Sequence, residues 1–292
     1  MKQIPHKVIF TAGSGRSGTT SLADLFRHNI KNCVAWHEPF IDPDKAGVDP
    51  SQLTDYRPGG KILEGAGFGR AIQWYDDDDP CLDLIIKHKA RIIRKQECDV
   101  YLEANHAFLK SMCDGMVQEF PNLYLVHLTR HPVVVARSFV NRIRNPSVFE
   151  EGYRLWNVAP GMRKNCMPDP PHSATYIQYY VWQWLELELR LVRFLECHPE
   201  VEIIDIDVNN LSDVTAVMSM FRALDLHSFN GPTRIPSPAN VNSKVTRVNE
   251  QDIEETHTLL NLVPSEIFAR LRNPYDLEEL RLTGKCSCRE QA

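Results

Sequence analysis

The segment Leu123-Tyr-Leu-Val-His-Leu-Thr129 is apolar on both of its alternating faces except at His127. A strand of that kind needs cover from two sides, which is the pattern of a parallel sheet between helical layers. Four further short apolar runs, Lys7–Thr11, Cys33–Trp36, Val100–Ala104 and Val201–Ile206, recur with helical stretches between them. Strands separated by helices imply βαβ crossovers, and the order predicts a three-layer α/β/α fold with a mainly parallel central sheet of about five strands. The 292 residues suffice for one such domain, expected over 1–292, and no internal repeat is visible. With 43% hydrophobic and 24% charged residues, the chain is not disordered, collagenous or a coiled coil.

Charge and cysteine usage exclude several partners. Lys plus Arg number 33 against 38 Asp plus Glu, a net charge of −5, so no overall basic field exists to hold nucleic acid. Eight cysteines are scattered through a chain large enough to fold without staples, which favours reduced thiols and a cytoplasmic protein. Of these only Cys286 and Cys288 are close together, in a segment (284–292) expected to be a flexible tail. No signal-like stretch opens the chain and no window holds eighteen uncharged apolar residues. The nearest, Tyr176–Leu195, is broken by Glu186, Glu188, Arg190 and Arg193 and reads as a long buried helix.

Three stretches depart from the strand and helix rhythm. Residues 41–80 are rich in Pro, Gly and Asp and read as a long excursion from the sheet on the side where an acceptor would be recognised. Within it, the run Asp76–Asp79 is expected to be a solvated acidic loop. Asn157–Ser173, with four prolines, precedes the long helix, and Gly231–Ser243 holds three more.

The chemistry begins after the first strand. Gly13-Ser-Gly-Arg-Ser-Gly-Thr-Thr20 leads into Ser21-Leu-Ala-Asp-Leu-Phe26, a strand, a glycine-rich turn and a helix start. Glycines let the backbone approach an anion, and the helix N-terminus offers it N–H groups and a favourable dipole. Gly13 and Gly18 have the spacing of the nucleotide-triphosphate loop, but Thr19 stands where that loop needs lysine. The cation has moved to Arg16. An arginine fork with hydroxyls suits a group with less charge than a triphosphate and no obligatory metal.

At these residues the chain resembles a known family: Gly15-Arg-Ser-Gly-Thr-Thr20 is similar to the 5′-phosphosulfate loop of sulfotransferases that use 3′-phosphoadenosine 5′-phosphosulfate (PAPS). A second motif, Leu128-Thr-Arg-His-Pro-Val-Val-Val-Ala-Arg-Ser138, is similar to the family's 3′-phosphate element. The resemblance implies that Ser14, Gly15, Arg16, Ser17, Gly18, Thr19 and Thr20 hold the phosphosulfate and that Arg130 and Ser138 hold the 3′-phosphate. Geometry agrees: Pro132 suits a first helical position, which leaves Arg130 on the turn and Ser138 about two turns on, close to one face. Arg137 lies about 100° further round and is expected to face solvent or another partner. The chain lacks the C-terminal Arg-Lys-Gly element of the cytosolic small-molecule branch and falls outside it. In its place Asn240-Val-Asn-Ser-Lys-Val-Thr-Arg247 is the candidate cover, with Lys244 or Arg247 at the 3′-phosphate.

Sulfuryl transfer to a hydroxyl needs a base beside the nucleophile. Two candidates follow strand ends. Glu38 lies in His37-Glu-Pro-Phe40, where Pro39 favours an extended Glu38 aimed off the strand. Carbohydrate- and tyrosine-directed members of the resembled family use a glutamate in a similar place. His106, in Glu103-Ala-Asn-His-Ala-Phe108, stands where the cytosolic branch places its histidine, and its ordinary pKa makes it a ready base. Glu38 ranks first and His106 second, with Glu103 and Asn105 as orienting groups for either. The remaining histidines make no metal pattern, and Trp182, Trp184, Tyr176, Tyr179 and Tyr180 read as core rather than acceptor pocket.

The expectation is thus a PAPS-dependent sulfotransferase, with adenosine 3′,5′-bisphosphate as product, no metal, and a hydroxylated small molecule, lipid or glycan as acceptor. Arg16 would stabilise the departing phosphate. The rivals are a P-loop nucleotide or small-molecule kinase and a non-catalytic nucleotide-binding protein.

Overall fold

The computed structural model describes residues 5–41, 62–63, 69–143, 149–154, 156–235, 246–272 and 275–286. Strand β1 (Lys7–Ala12) passes through α1 (Thr19–Asn29) to β2 (Cys33–His37), and β3 (Phe40–Ile41) pairs antiparallel with β4 (Ile62–Leu63). Helices α2 (Gly69–Asp77) and α3 (Cys81–Arg94) lead to β5 (Val100–Ala104). A π-helical turn over Phe108–Met112 then runs into α4 (Cys113–Glu119), followed by β6 (Tyr124–Thr129). After α5 (Pro132–Val140), α6 (Phe149–Arg154) and the long α7 (Tyr176–Cys197) comes β7 (Glu202–Asp207). A 3₁₀ turn (Val208–Ser212), α8 (Val214–Ala223), α9 (Glu250–Leu260), α10 (Ser265–Arg270) and α11 (Leu277–Thr283) complete the described chain.

The main sheet has five strands in the order β2-β5-β1-β6-β7, all parallel, each within a residue or two of the apolar run that predicts it. Period-two alternation explains the two cores. Val8, Phe10, Leu123 and Leu125 pack on one face with Phe108, Trp182 and Phe194, while Ile9, Val126 and Leu128 pack on the other with Leu22, Phe26 and Phe221. Helices therefore cover both faces, giving the three-layer α/β/α fold. β1 occupies the centre, with β5 on one side and β6 on the other, so the chain's crossovers diverge at its carboxyl end. Ligands bind in such a crevice in open parallel sheets.

The long helix α7 starts at a capping box, in which Thr175 accepts from the Gln178 N–H while the Gln178 side chain accepts from the Thr175 N–H. Trp182 and Trp184 are buried as expected and spend their indole N–H groups on the carbonyls of Pro168 (2.8 Å) and Arg130 (3.1 Å). Its charges are internal too: Glu186 accepts from the N–H groups of Cys166 and Met167 and pairs with Arg190, pinning the proline-rich 157–173 stretch against the helix. No helix among the described residues is long and apolar enough to cross a membrane.

Three expectations are corrected. The aspartate run does not form a solvated loop at its start: Asp76 lies in the last turn of a helix, is buried, and accepts from the N–H groups of Arg163 (2.9 Å) and Lys164 (2.7 Å). Asp78 pairs with the Arg163 and Lys164 side chains, so the run holds the same 157–173 stretch from the other side. Cys286 is disulfide-bonded, against the expectation of reduced thiols, whereas Cys33, Cys81, Cys98, Cys113, Cys166 and Cys197 are free. The third concerns the Glu38 backbone, described with the site. Arg137 finds the alternative partner that sequence left open, a two-point pairing with the buried Asp252 of α9.

Candidate active site

The carboxyl edge of the sheet gathers the motifs. β1 releases the Gly13–Gly18 loop, β2 ends at His37 and is followed by Glu38, β5 is followed by Asn105 and His106, and β6 by Arg130. The loop's glycines are fixed by contact as much as by conformation. Gly13 (φ 148°) and Gly18 (φ 98°) take backbone angles that favour glycine, and a Cβ on Gly18 would lie 2.6 Å from Val208 Cγ2. Gly15 packs under Phe139 and His106, where a Cβ would meet Phe139 Cζ at 3.0 Å and His106 Cδ2 at 3.3 Å. Gly18 is the N-cap of α1 and brings no side-chain acceptor to its first-turn N–H groups.

The two sequence motifs are joined by hydrogen bonds. Arg16 Nε donates to Ser138 Oγ at 3.0 Å, and Arg130 Nη1 donates to the Arg16 carbonyl at 3.1 Å. Burial, with the neighbouring charges of Arg142 and Arg130, pushes the Arg16 guanidinium down to about 10, against a smaller opposing pull from Glu38. Arg130 is likewise lowered by burial, opposed by Asp207 and Tyr275. Like charges close enough to depress the Arg16 guanidinium favour an anion beside it. Ser17 Oγ donates to the Ser14 carbonyl at 2.6 Å, while the buried Ser14 Oγ has no hydrogen-bond partner among the described residues. Thr19 and Thr20 open α1, and Thr19 Oγ1 lies 3.1 Å from His37 Nε2. A strand, a glycine cradle, an orphaned hydroxyl and clustered arginines fit a phosphate-bearing ligand.

Glu38 and His106, alternatives in the sequence, touch each other. His106 Nε2 lies 3.3 Å from Glu38 Oε1, and His37 Nε2 is 3.8 Å from the same oxygen. Burial works against the Glu38 carboxylate, but the His106 hydrogen bond and the charges of His106, His37 and Lys110 outweigh it and hold it down to about 2. His106 is lowered to about 4 by burial and by Lys110, with Glu38 opposing. Glu38 is not extended as Pro39 predicts: its φ is 47°, in the left-handed region. Arg16 shares that conformation at φ 67°, so both charged site residues sit on strained backbone, at a cost on the order of 1–3 kcal/mol each.

Glu103 and Asn105 support the site from below. Asn105 Nδ2 donates to Glu103, Glu103 pairs with the buried Lys89 and accepts from Tyr101 OH, and Asn105 Oδ1 accepts from the Ala107 N–H at 2.8 Å. Thr11 Oγ1 donates to the Asn105 carbonyl at 2.8 Å. This buried network orients the turn that carries His106 rather than the ring itself.

Two residues escaped the sequence reading. His37, quoted there only as Glu38's neighbour, bridges towards Thr19 and Glu38. Lys110 is fully buried with Nζ 2.5 Å from His106 Nδ1. Its spacing of four from His106 was the available signal. Lys244 lies outside the described residues. Arg247 is exposed, and the Thr246 carbonyl accepts from Asn141 Nδ2 at 2.9 Å, so the chain re-enters one residue past the end of the helix that carries Ser138. Among the described residues no group of three or more His, Cys, Asp or Glu is arranged to hold a metal.

No protein-family model and no curated protein matches the chain. Among solved structures it is similar to the sulfotransferase STF1 of Mycobacterium tuberculosis H37Rv, at 14% identity over 77% of this chain and 69% of that one, TM-score 0.42. It is also similar to the sulfotransferase domain of the Synechococcus PCC 7002 olefin synthase, at 13% identity over 88% and 97%, TM-score 0.42. Likeness at that distance says nothing about reaction or ligand.

Proposed function

We propose that this chain is a sulfotransferase, moving the sulfuryl group of PAPS to a hydroxyl acceptor by in-line displacement. One observation carries the reading: the Arg16–Ser138–Arg130 cluster and the Glu38–His106 pair meet at one sheet edge, an anion cradle beside a base. Bound PAPS supplies an activated sulfuryl group whose leaving group is a phosphate. Arg16 and the N–H groups of the Gly13–Thr20 turn take up charge on that phosphate. Ser14, Ser17, Thr19 and Thr20 complete the cradle, and Arg130 with Ser138 receives the ribose 3′-phosphate. Lys244 is the further candidate at that phosphate.

Glu38 removes the acceptor proton. It is ionised throughout the neutral range, follows the end of β2, and its charge acts on Arg16 of the loop. The acceptor oxygen then forms a bond to sulfur as the bond from sulfur to the 5′-phosphate oxygen breaks, its electron pair leaving with adenosine 3′,5′-bisphosphate. The acceptor is a hydroxylated small molecule, lipid or glycan, recognised from the side of the 41–80 excursion, most of which lies outside the described residues.

Binding tests the cosubstrate. The protein should bind adenosine 3′,5′-bisphosphate in EDTA, and much more tightly than ATP, because Thr19 replaces the lysine that a triphosphate loop requires. Calorimetry with both ligands, with and without magnesium, checks this; tight magnesium-dependent ATP binding and none of the bisphosphate would turn the reading towards a kinase.

Arg130→Ala separates the two phosphates. It should weaken the bisphosphate by about 1.5–3 kcal/mol, the scale of a hydrogen bond to a charged group, and leave 5′-AMP nearly unchanged. Equal loss for both ligands would mean that Arg130 acts through its bond to the Arg16 carbonyl, shaping the loop instead.

A further inference from the structure

Lys110 is an unusual neighbour for a catalytic pair: it has no exposed surface, and its three donors are all engaged. Besides His106 Nδ1 at 2.5 Å, Nζ donates to the Trp156 carbonyl at 2.7 Å and to Asn157 Oδ1 at 3.2 Å. An ammonium can only donate, so the ring nitrogen facing it must accept. The imidazole proton then belongs on Nε2, which points at Glu38 Oε1. That leaves Glu38 Oε2 with no hydrogen-bond or ion-pair partner among the described residues.

We propose that Lys110 is a positioning residue that holds His106 as the Nε2–H tautomer, so that His106 clamps Glu38 by Oε1 and leaves Oε2 as the atom that receives the acceptor proton. The assignment of a transfer role rests on the sulfotransferase reading; the tautomer does not. His106 in this state carries its proton where a base would need a lone pair, so it serves Glu38 rather than replacing it. The other charged groups around Lys110 are Glu38, which favours its ammonium, and Arg190, whose Nη1 donates to the Lys110 carbonyl at 3.1 Å and opposes it. Burial is the larger influence and lowers Lys110 to about 7, which makes it a titrating group rather than a permanent charge. Neutral lysine still has N–H groups for Nδ1, but a lone pair as well, so the lock is firmest on the acid side of that value.

The ring nitrogens of His106 report the tautomer directly. In protein with nitrogen-15-labelled histidine, the His106 signals are those missing from His106→Gln, and at pH 6 they should show a neutral ring with the proton on Nε2. Lys110→Met keeps the length of the buried stem without the donor; it should free Nδ1 to take up a proton, moving the ring towards the imidazolium at pH 6, lower kcat by roughly 10–100-fold, and leave bisphosphate affinity and acceptor KM nearly unchanged. A wild-type ring protonated on Nδ1, or on both nitrogens, overturns the proposal whether or not the variant folds, and so does an unaltered protonation state of the ring in Lys110→Met. If the ring signals behave as stated while no acceptor is ever sulfated, the lock is supported and the transfer reading falls.

Discussion

Glu38→Gln is expected to slow transfer by roughly 10²–10⁴, the usual contribution of a general base, with bisphosphate affinity little changed. Glutamine keeps the volume of the side chain, and its amide oxygen can still accept the His106 Nε2 proton, so the clamp survives while basicity is deleted. His106→Gln should be milder, because it removes the clamp and leaves the base. Its effect should also lie close to that of Lys110→Met, since both changes act on one chain of hydrogen bonds from Lys110 to Glu38 and are not additive. Turnover of both variants, measured beside nucleotide affinity and thermal stability, decides the order. Near-normal rates in Glu38→Gln with a severe loss in His106→Gln would make histidine the base and the carboxylate its partner.

The sheet and the glycine-rich turn after its first strand were legible for a simple reason: each is a local pattern. A run such as Leu123–Thr129, apolar on both faces, fits a strand covered on two sides, and glycines between a strand and a helix start fit a tight turn into the helix. The site's inner contacts were not legible, because they join distant parts of the chain. Glu38 shows the limit of a local rule. Pro39 disfavours the left-handed backbone that Glu38 adopts at φ 47°, yet the His106 contact with its carboxylate forms in that geometry. Tertiary contact here overrides the preference of a dipeptide.

Charged residues were misjudged in the same way. The Asp76–Asp79 run reads as solvated because nothing near it in sequence is basic, but its partners are Arg163 and Lys164, brought over by the fold. Lys110 drew no reading from the sequence for the same reason: the Trp156 carbonyl and Asn157, which accept from it in the interior, are distant in the chain. Composition assigns a charge to water unless its partner is visible, and long-range partners are not.

His127, the one polar interruption in the otherwise apolar sixth strand, carries the second large effect. Its Nδ1 meets Asp205 at 2.7 Å and its Nε2 meets Glu188 at 3.1 Å, on the sheet face covered by α7. Asp205 is also held by Arg272. Burial favours the neutral ring, but the Glu188 charge and the hydrogen bonds and charge of the two carboxylates outweigh it and raise His127 to about 9. A histidine raised above its unfolded value contributes stability in full below about 6.5, and that contribution is lost as pH rises through about 9. The shift corresponds to roughly 3 kcal/mol as an upper bound, since Asp205 is 44% exposed and water weakens its half of the clamp. His127→Gln should therefore destabilise the protein at pH 6 by up to about 3 kcal/mol and should flatten the loss between pH 6.5 and 9. Denaturant unfolding of both proteins across that range is the measurement, and equal slopes would mean that His127 is neutral in the fold. Because β6 ends one residue before Arg130, a loosened clamp should also weaken bisphosphate binding at alkaline pH, and in the wild-type protein only.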